Sequence, residues 1–285
     1  MQEKILIGLM GRGILQSLSP TLHETEAQQH GLRLHYQLID FDQAEANDAS
    51  LGAMVNAARV MGFAGFNVTF PFKQAVIEHL DSLSPEAAAV GAVNTVVNRD
   101  GTLIGYNTDG SGWRWGFSQS LPNADLSHVV LLGAGGAGSA VADAAIRMGV
   151  TKLSISDREP ERAGALVARL NALHGSTRAE ACVDVERALK TASGLIHTTP
   201  TGMSKMPGVP VPLRWLRSSQ WLSEIVYFPL ETELLKGARS VGCATMDGCW
   251  MTVGQAVDAF SLFTGRQPDA NRMNAHLRQL IANKT

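Results

Sequence analysis

The sequence predicts an α/β protein of two domains, and three observations carry that expectation. Its 285 residues exceed what one compact core ordinarily needs. Short β-rich runs alternate with helical patterns through the first third, and a fresh alternation starts at Val129. Hydrophobic residues make up 45% and charged residues 18%, which is apolar material for two buried cores and too little charge for long disorder.

The first alternation runs KILIGLM, PTLHETEAQQH, LHYQLIDF, LGAMVNAARVM and GFNVT, the order expected of a parallel α/β sheet. Pro71 then suits the first turn of a helix, which places Lys73 inside that turn. A further short helix is expected from Ser84-Pro85-Glu86. NTVVNRDGTLIGYNTDG follows as two β-rich runs around Asp100-Gly101 and reads as a hairpin. With a two-residue turn, Asn94 lies opposite Asn107 and on the same face as Asp109, so three polar side chains are expected to converge. SGWRWGFSQS reads as a crossing helix. These patterns set the domains at 1–110 and 111–247. The last segment, TVGQAVDAFSLFTGRQ, has a helical period that does not show where it packs.

Formal charge is -2, with no run of Lys or Arg, so neither nucleic acid nor an anionic membrane is an expected partner. A small molecule is, and a homodimer stays open beside a monomer. Cys182, Cys243 and Cys249 are odd in number and lack C-x-x-C spacing, which reads as reduced thiols. The apolar run in MQEKILIGLMGRG is too short for a signal peptide and no window reaches membrane-span length, so the cytoplasm is the expected location.

In HVVLLGAGGAGSAVADAAIRMG, Gly133, Gly135 and Gly138 stand in G-x-G-x-x-G spacing between an apolar strand and a small-residue helix. Gly133 permits the tight turn, Gly135 lets backbone approach a pyrophosphate, and Gly138 allows close helix-strand packing. Gly136 and Ala137 add oriented N–H groups at the helix start. KLSISD ends in Asp157, at the distance expected of an acid that bonds a ribose 2′-hydroxyl. A ligand-free glycine turn and a solvated strand end are the alternatives. Asp157 favours NAD over NADP, while Arg158 beside it is placed to pair with a 2′-phosphate, so NADP is a tolerated second choice.

Lys73, at a helix start, has its charged form disfavoured by the dipole, which would suit a base, while an adjacent carboxylate would favour the charged form and leaves the net direction open; an ordinary surface lysine is the alternative. Its company changes the reading: Asn67 and Thr69 come from the strand before it, Asn94 and Asp109 from the hairpin. In GRGILQSLSPTLHE, Ser19 before Pro20 looks like a helix N-cap, and with Ser17 the same geometry suits a carboxylate. His23, His35 and His197 lack ligand spacing and read as structural or hydrogen-bonded. No metal site is expected.

These motifs resemble the shikimate dehydrogenase family, which includes the quinate/shikimate dehydrogenases. The resemblance runs from GRGILQSLSPTLH through NVTFPFKQAV, GAVNTVV, GYNTDGSG, LLGAGGAG, TTPTGM and VYFPLETELL to DGCWMTVGQAVDAF, essentially the whole chain. It implies Lys73 and Asp109 as the catalytic pair and Ser17, Ser19, Asn67, Thr69, Asn94 and Gln255 as substrate contacts. It also implies that Tyr227, Gly248 and Met251 lie near substrate or nicotinamide, and that Thr199 belongs to the cofactor site. The implied fold is an amino-terminal substrate domain, a Rossmann domain, and a carboxy-terminal helix returning to the first domain, so that 248–285 packs back on 1–110.

Two departures separate this chain from the common pattern. Where G-x-P-I-x-H-S-x-S-P is usual, Gly13 and Gln16 stand for the proline and the histidine. Where an N-R-T type segment for NADP is usual, Ser156-Asp157-Arg158 stands. Both look like the NAD-using quinate/shikimate branch or a related shikimate dehydrogenase-like group, and favour a catabolic role. The expected reaction is reversible hydride transfer between the ring alcohol of a small hydroxy acid, shikimate or quinate, and nicotinamide. The alternatives are an NADP-dependent biosynthetic enzyme, an aminoshikimate-type dehydrogenase, and a non-catalytic dinucleotide sensor of the same fold.

Overall fold

Two six-stranded sheets organise the chain, each within its own unit. The structure is a computed structural model that describes residues 4–43, 47–175 and 177–284. One unit comprises Met1–Thr108 with Gln255–Leu280, the other Asp109–Gly254 with Ile281–Thr285.

In unit 1, β1 (Lys4–Gly11), β2 (Arg33–Asp40) and β3 (Gly65–Val68) pair in parallel, joined by α1 (Ser19–Gln29) and α2 (Leu51–Val60). The expected parallel sheet stops there. β4 (Ser82–Leu83) and α3 (Pro85–Val90) lead into β5 (Thr95–Arg99) and β6 (Thr102–Tyr106), which run antiparallel and complete the order β2-β1-β3-β5-β6-β4. The hairpin pairs Thr95 with Tyr106 and Arg99 with Thr102, so the turn is Asp100-Gly101, with φ of 52° and 89°. Positive φ at both central residues matches the right-handed twist of the strands. Ser84 caps α3, its Oγ accepting the Ala87 N–H at 3.1 Å.

Lys73 does not sit in an α-helix. Residues 70–74 form turns and Ala75–His79 a 3-10 helix. An α-helix would need the Lys73 carbonyl for the Ile77 N–H, but that carbonyl accepts from Val93 at 2.7 Å, and Ile77 bonds Gln74 instead. The helix-dipole argument for this lysine therefore has no helix to act through. Ser19 is likewise not a cap: α1 is capped by Leu18 without a side-chain bond, and Ser19 is its first helical residue.

The core of unit 1 lies on both faces of its sheet. Phe41, Phe66, Phe72 and Val96 fill one side; Ile5, Ile7, Val97, Ala259, Phe260 and Phe263 fill the other. The last three belong to α9 (Gly248–Thr264), which answers where the final periodic segment packs. Gly65 is required there, since a Cβ would stand 2.6 Å from the Phe263 ring and 2.3 Å from the Val96 carbonyl oxygen. The amino end of α10 (Ala270–Ala282) is tied to α1 by Arg272, which donates to buried Glu26 through Nε at 2.9 Å and Nη2 at 2.6 Å.

Unit 2 begins at α4 (Asp109–Ser120), so Asp109 opens a helix rather than extending the hairpin. Its strands β7 (His128–Leu132), β8 (Lys152–Ser156), β9 (Ala179–Ala181), β10 (Gly194–His197), β11 (Trp221–Glu224) and β12 (Ala244–Met246) are all parallel, in the order β12-β11-β10-β7-β8-β9. That is a Rossmann sheet, whose order reverses between β7 and β10. Crossovers run through α5 (Gly136–Arg147), α6 (Pro160–His174), α7 (Val185–Leu189) and α8 (Glu233–Val241). Among the described residues, no helix is long and apolar enough to cross a membrane, and no cluster of three or more His, Cys, Asp or Glu residues could hold a metal ion.

Candidate active site

In unit 1 two of the residues picked from sequence, Asn67 and Asn94, belong to a buried hydrogen-bonded ring. Tyr36 Oη donates to Asn67 Oδ1 at 2.8 Å, and Asn67 Nδ2 donates to Thr95 Oγ1 at 3.0 Å and to the Asn94 carbonyl at 3.2 Å. Thr95 Oγ1 donates onward to Asn94 Oδ1 at 3.1 Å, which also accepts the Thr108 N–H at 2.8 Å. Asn94 Nδ2 donates to Thr108 Oγ1 at 3.0 Å, and that hydroxyl donates to the Gln255 carbonyl at 3.1 Å. Asn67, Asn94, Thr95 and Thr108 are each below 9% exposed, so the amides are oriented by their neighbours rather than by water.

The ring also adjoins Lys73 and Asp109 along the chain. The Lys73 carbonyl is bonded to Val93, next to Asn94; Thr108 is covalently followed by Asp109. Asn107 was expected to join Asn94, but its amide donates to the Ala92 carbonyl at 2.9 Å, and Thr108 takes its place. Strand alternation fails there because β6 ends at Tyr106. Lys73, Thr69, Ser17, Ser19 and Gln255 are half-buried. Ser17 and Ser19 are joined by the Ser19 N–H, which donates to Ser17 Oγ at 3.3 Å. Thr95, Thr108 and Tyr36 are members that sequence reasoning missed; the NT pair in GAVNTVV was the available signal for Thr95.

In unit 2 the glycine turn has the shape its spacing implied. Gly133 has φ of 101°, a value costly for any side chain. A Cβ on Gly138 would stand 2.0 Å from the Gly133 carbonyl oxygen, so α5 rests directly on the turn. A Cβ on Gly135 would meet nothing within 4 Å, so open space lies over this backbone at the start of α5. Thr198 braces the turn, its Oγ1 bonding the Leu132 and Gly133 carbonyls at 2.7 and 3.0 Å.

A cleft of about 610 Å³ opens beside the turn, lined by Gly133, Asp157, Arg158, Thr199, Asp184 and Glu186 among others. Asp157 Oδ2 accepts the Ala134 N–H at 2.7 Å and Oδ1 the Glu159 N–H at 3.0 Å. Arg158 is exposed at the rim. Thr199 Oγ1 lies 2.5 Å from His197 Nε2, and His197 Nδ1 lies 2.9 Å from Glu224 Oε1, so a fully buried pair holds the wall of the cleft. Sequence reasoning missed Asp184 and Glu186, which stand on the loop and helix after β9 with no motif of their own. Gly248 and Met251 do not line this cleft: Gly248 packs so tightly under Val226 that a Cβ would stand 2.3 Å from its carbonyl oxygen, and Met251 is core. Tyr227, just past β11, is half-buried.

The residues present fit a dinucleotide: N–H groups with open space over Gly135, an acid at the end of the second strand, and room for an adenosine. A glycine turn at the switch point of a Rossmann sheet, carried with a second α/β unit rich in oriented polar side chains, marks an NAD(P)-dependent oxidoreductase. A family model described as the shikimate dehydrogenase substrate binding domain matches residues 9–96, and one described as the shikimate 5′-dehydrogenase C-terminal domain matches residues 248–278. The chain belongs to the shikimate dehydrogenase family.

Relatives carry both cofactor types. A shikimate dehydrogenase (NADP(+)) of Streptomyces avermitilis is 52% identical over 281 residues, 98% of this chain and 97% of the relative. A quinate/shikimate dehydrogenase (NAD(+)) of Corynebacterium glutamicum is 44% identical over 279 residues, 96% of this chain and 98% of the relative. Among solved structures, quinate dehydrogenase from Corynebacterium glutamicum in complex with NAD is 42% identical with a TM-score of 0.91, covering 98% of this chain and 100% of that one.

Proposed function

We propose that this protein is an NAD-preferring dehydrogenase of shikimate and quinate, oxidising the ring secondary alcohol reversibly to 3-dehydroshikimate or 3-dehydroquinate. The observation that carries the reading is the closed ring through Asn67, Thr95, Asn94 and Thr108, which fixes these side chains before any ligand binds and leaves acceptor capacity on Asn67 Oδ1 for a substrate hydroxyl. Lys73 is the group that takes the hydroxyl proton in oxidation and returns it in reduction, with Asp109 as the carboxylate member of the pair. Ser17 and Ser19 receive the substrate carboxylate, and Thr69 and Gln255 add polar contacts to the ring hydroxyls. The nicotinamide, when bound, supplies the hydride acceptor and donor. Gly135, Gly136 and Ala137 present backbone to its pyrophosphate, and Asp157 accepts from the ribose.

The NAD preference is supported by charge. Asp157, Asp184 and Glu186 line the cleft with Arg158 as its cation, and a phosphate monoester brings nearly two negative charges among them. NADP use is the second reading, favoured by the exposed Arg158 and by the Streptomyces relative. Initial rates on shikimate and quinate, each with NAD and with NADP, test the proposal. Faster turnover with NAD on either acid supports it; faster turnover with NADP on both assigns the cofactor the other way, and no turnover in any pairing removes the reading.

A further inference from the structure

A buried carboxylate grips the loop that runs through Ser17 into Ser19, the first residue of α1. Asp40, the last residue of β2, is 6% exposed. Its Oδ1 accepts the Gly13 N–H at 3.0 Å and the Asp42 N–H at 3.0 Å, and its Oδ2 accepts the Ile14 N–H at 2.8 Å. Burial alone pushes this carboxyl up; the backbone N–H groups outweigh it and hold the group below the ordinary aspartate range, as a bonded carboxylate. The backbone adds a fourth tie, with the Phe41 N–H donating to the Gly11 carbonyl at 3.0 Å.

The grip passes along the loop. Ile14, held by its N–H, gives its carbonyl to the Ser17 N–H at 2.8 Å, and Ser17 Oγ in turn accepts the Ser19 N–H at 3.3 Å. Gly13 is the residue that makes this possible: its φ is 64° and its N–H is used. A proline offers neither, since its ring fixes φ near −65° and removes the donor. The chain's departure from the common G-x-P-I pattern is therefore matched by a clamp that a proline there would prevent.

We infer that Asp40 is a positioning residue for recognition of the substrate carboxylate, setting through Gly13 and Ile14 where Ser17 and Ser19 present their hydroxyls. This rests on the reading that those serines receive a carboxylate. Asp40 touches no substrate; removing its grip loosens the receiving loop. Because the carboxylate is held alike before and during hydride transfer, the loss falls on binding and spares the chemical step.

The test compares shikimate with its methyl ester, which keeps the ring alcohol and loses the charge, in wild type, Ser17→Ala, Asp40→Asn and Asp40→Glu. Dissociation constants come from the ligand-induced rise in Tm with NAD present, and kcat is measured alongside. Asp40→Asn is expected to weaken acid binding about tenfold, to shrink the acid-over-ester preference by a similar factor, and to leave kcat and NAD affinity within about twofold. Asp40→Glu, which keeps the charge but carries it one methylene too far, is expected to behave the same way and decides on the same ratios where Asp40→Asn does not fold. A preference that falls in Ser17→Ala but not in the Asp40 variants overturns the positioning role and leaves the carboxylate reading in place. A preference unchanged in Ser17→Ala removes both.

Discussion

The Ala134 N–H donates to Asp157 Oδ2 across 2.7 Å, joining the glycine turn after β7 to the acid after β8. With Oδ1 accepting from Glu159, the carboxylate is oriented by the protein itself, and each oxygen retains capacity for another donor. Asp157 thus does two jobs: it braces the turn and it sets charge in the cleft.

Asp157→Asn largely separates those jobs: the amide oxygen can still accept from Ala134, while the charge is gone and the amide nitrogen cannot accept from Glu159. NADP affinity is expected to rise about tenfold, ~1.4 kcal/mol, while NAD affinity falls by less. Asp157→Ala loses the brace as well and is expected to weaken both dinucleotides. Fluorescence titration checks this; unchanged NADP affinity in Asp157→Asn contradicts the charge argument.

Thr95→Val keeps the shape of a fully buried side chain and removes the hydroxyl that links the Asn67 and Asn94 amides. Two polar groups lose a partner, which is expected to cost ~1–3 kcal/mol in stability. KM for the hydroxy acid is expected to rise about tenfold with NAD affinity unchanged, and Thr95→Ser is expected to restore most of it. Equal KM values for Thr95→Val and wild type would show that the ring does not orient the site.

His23 gives the fold an acid sensitivity. It is 1% exposed, stands 5.1 Å from the Tyr36 ring and 6.1 Å from Phe260, and its Nδ1 has no hydrogen-bond partner among the described residues. It is therefore structural, as its lack of ligand spacing suggested, but not satisfied by hydrogen bonds at that nitrogen. Burial lowers its pKa to about 4 from an ordinary 6.5, so the unfolded chain binds more protons between those values. The contribution of neutral His23 is complete above pH 6.5 and is lost as pH falls toward 4, up to ~3 kcal/mol. Chemical denaturation of His23→Phe across that window is expected to show a stability gain over wild type that grows as pH falls; parallel curves contradict it.

What the sequence revealed depended on whether short-range chemistry decided the outcome. The hairpin register was legible because Asp100-Gly101 fixes a two-residue turn, and the glycine turn because its spacing needs one backbone path. The element at Lys73 was not legible, since a bond from Val93, twenty residues on, takes the carbonyl an α-helix would use. Asp40 gave no signal at all: its partners are backbone N–H groups, which every sequence supplies. The apolar period of α9 was plain, but its partner face, Gly65 against Phe263, appears only once β3 is placed.

The central claim is that Lys73 moves the hydroxyl proton. The most direct measurement is the rate of NAD reduction by purified Lys73→Ala on shikimate and quinate, with folding and NAD affinity verified on the same sample. The account predicts a fall in kcat of about 10²–10⁴-fold with NAD affinity unchanged. A folded Lys73→Ala protein that binds NAD and oxidises either acid at the wild-type rate would contradict it.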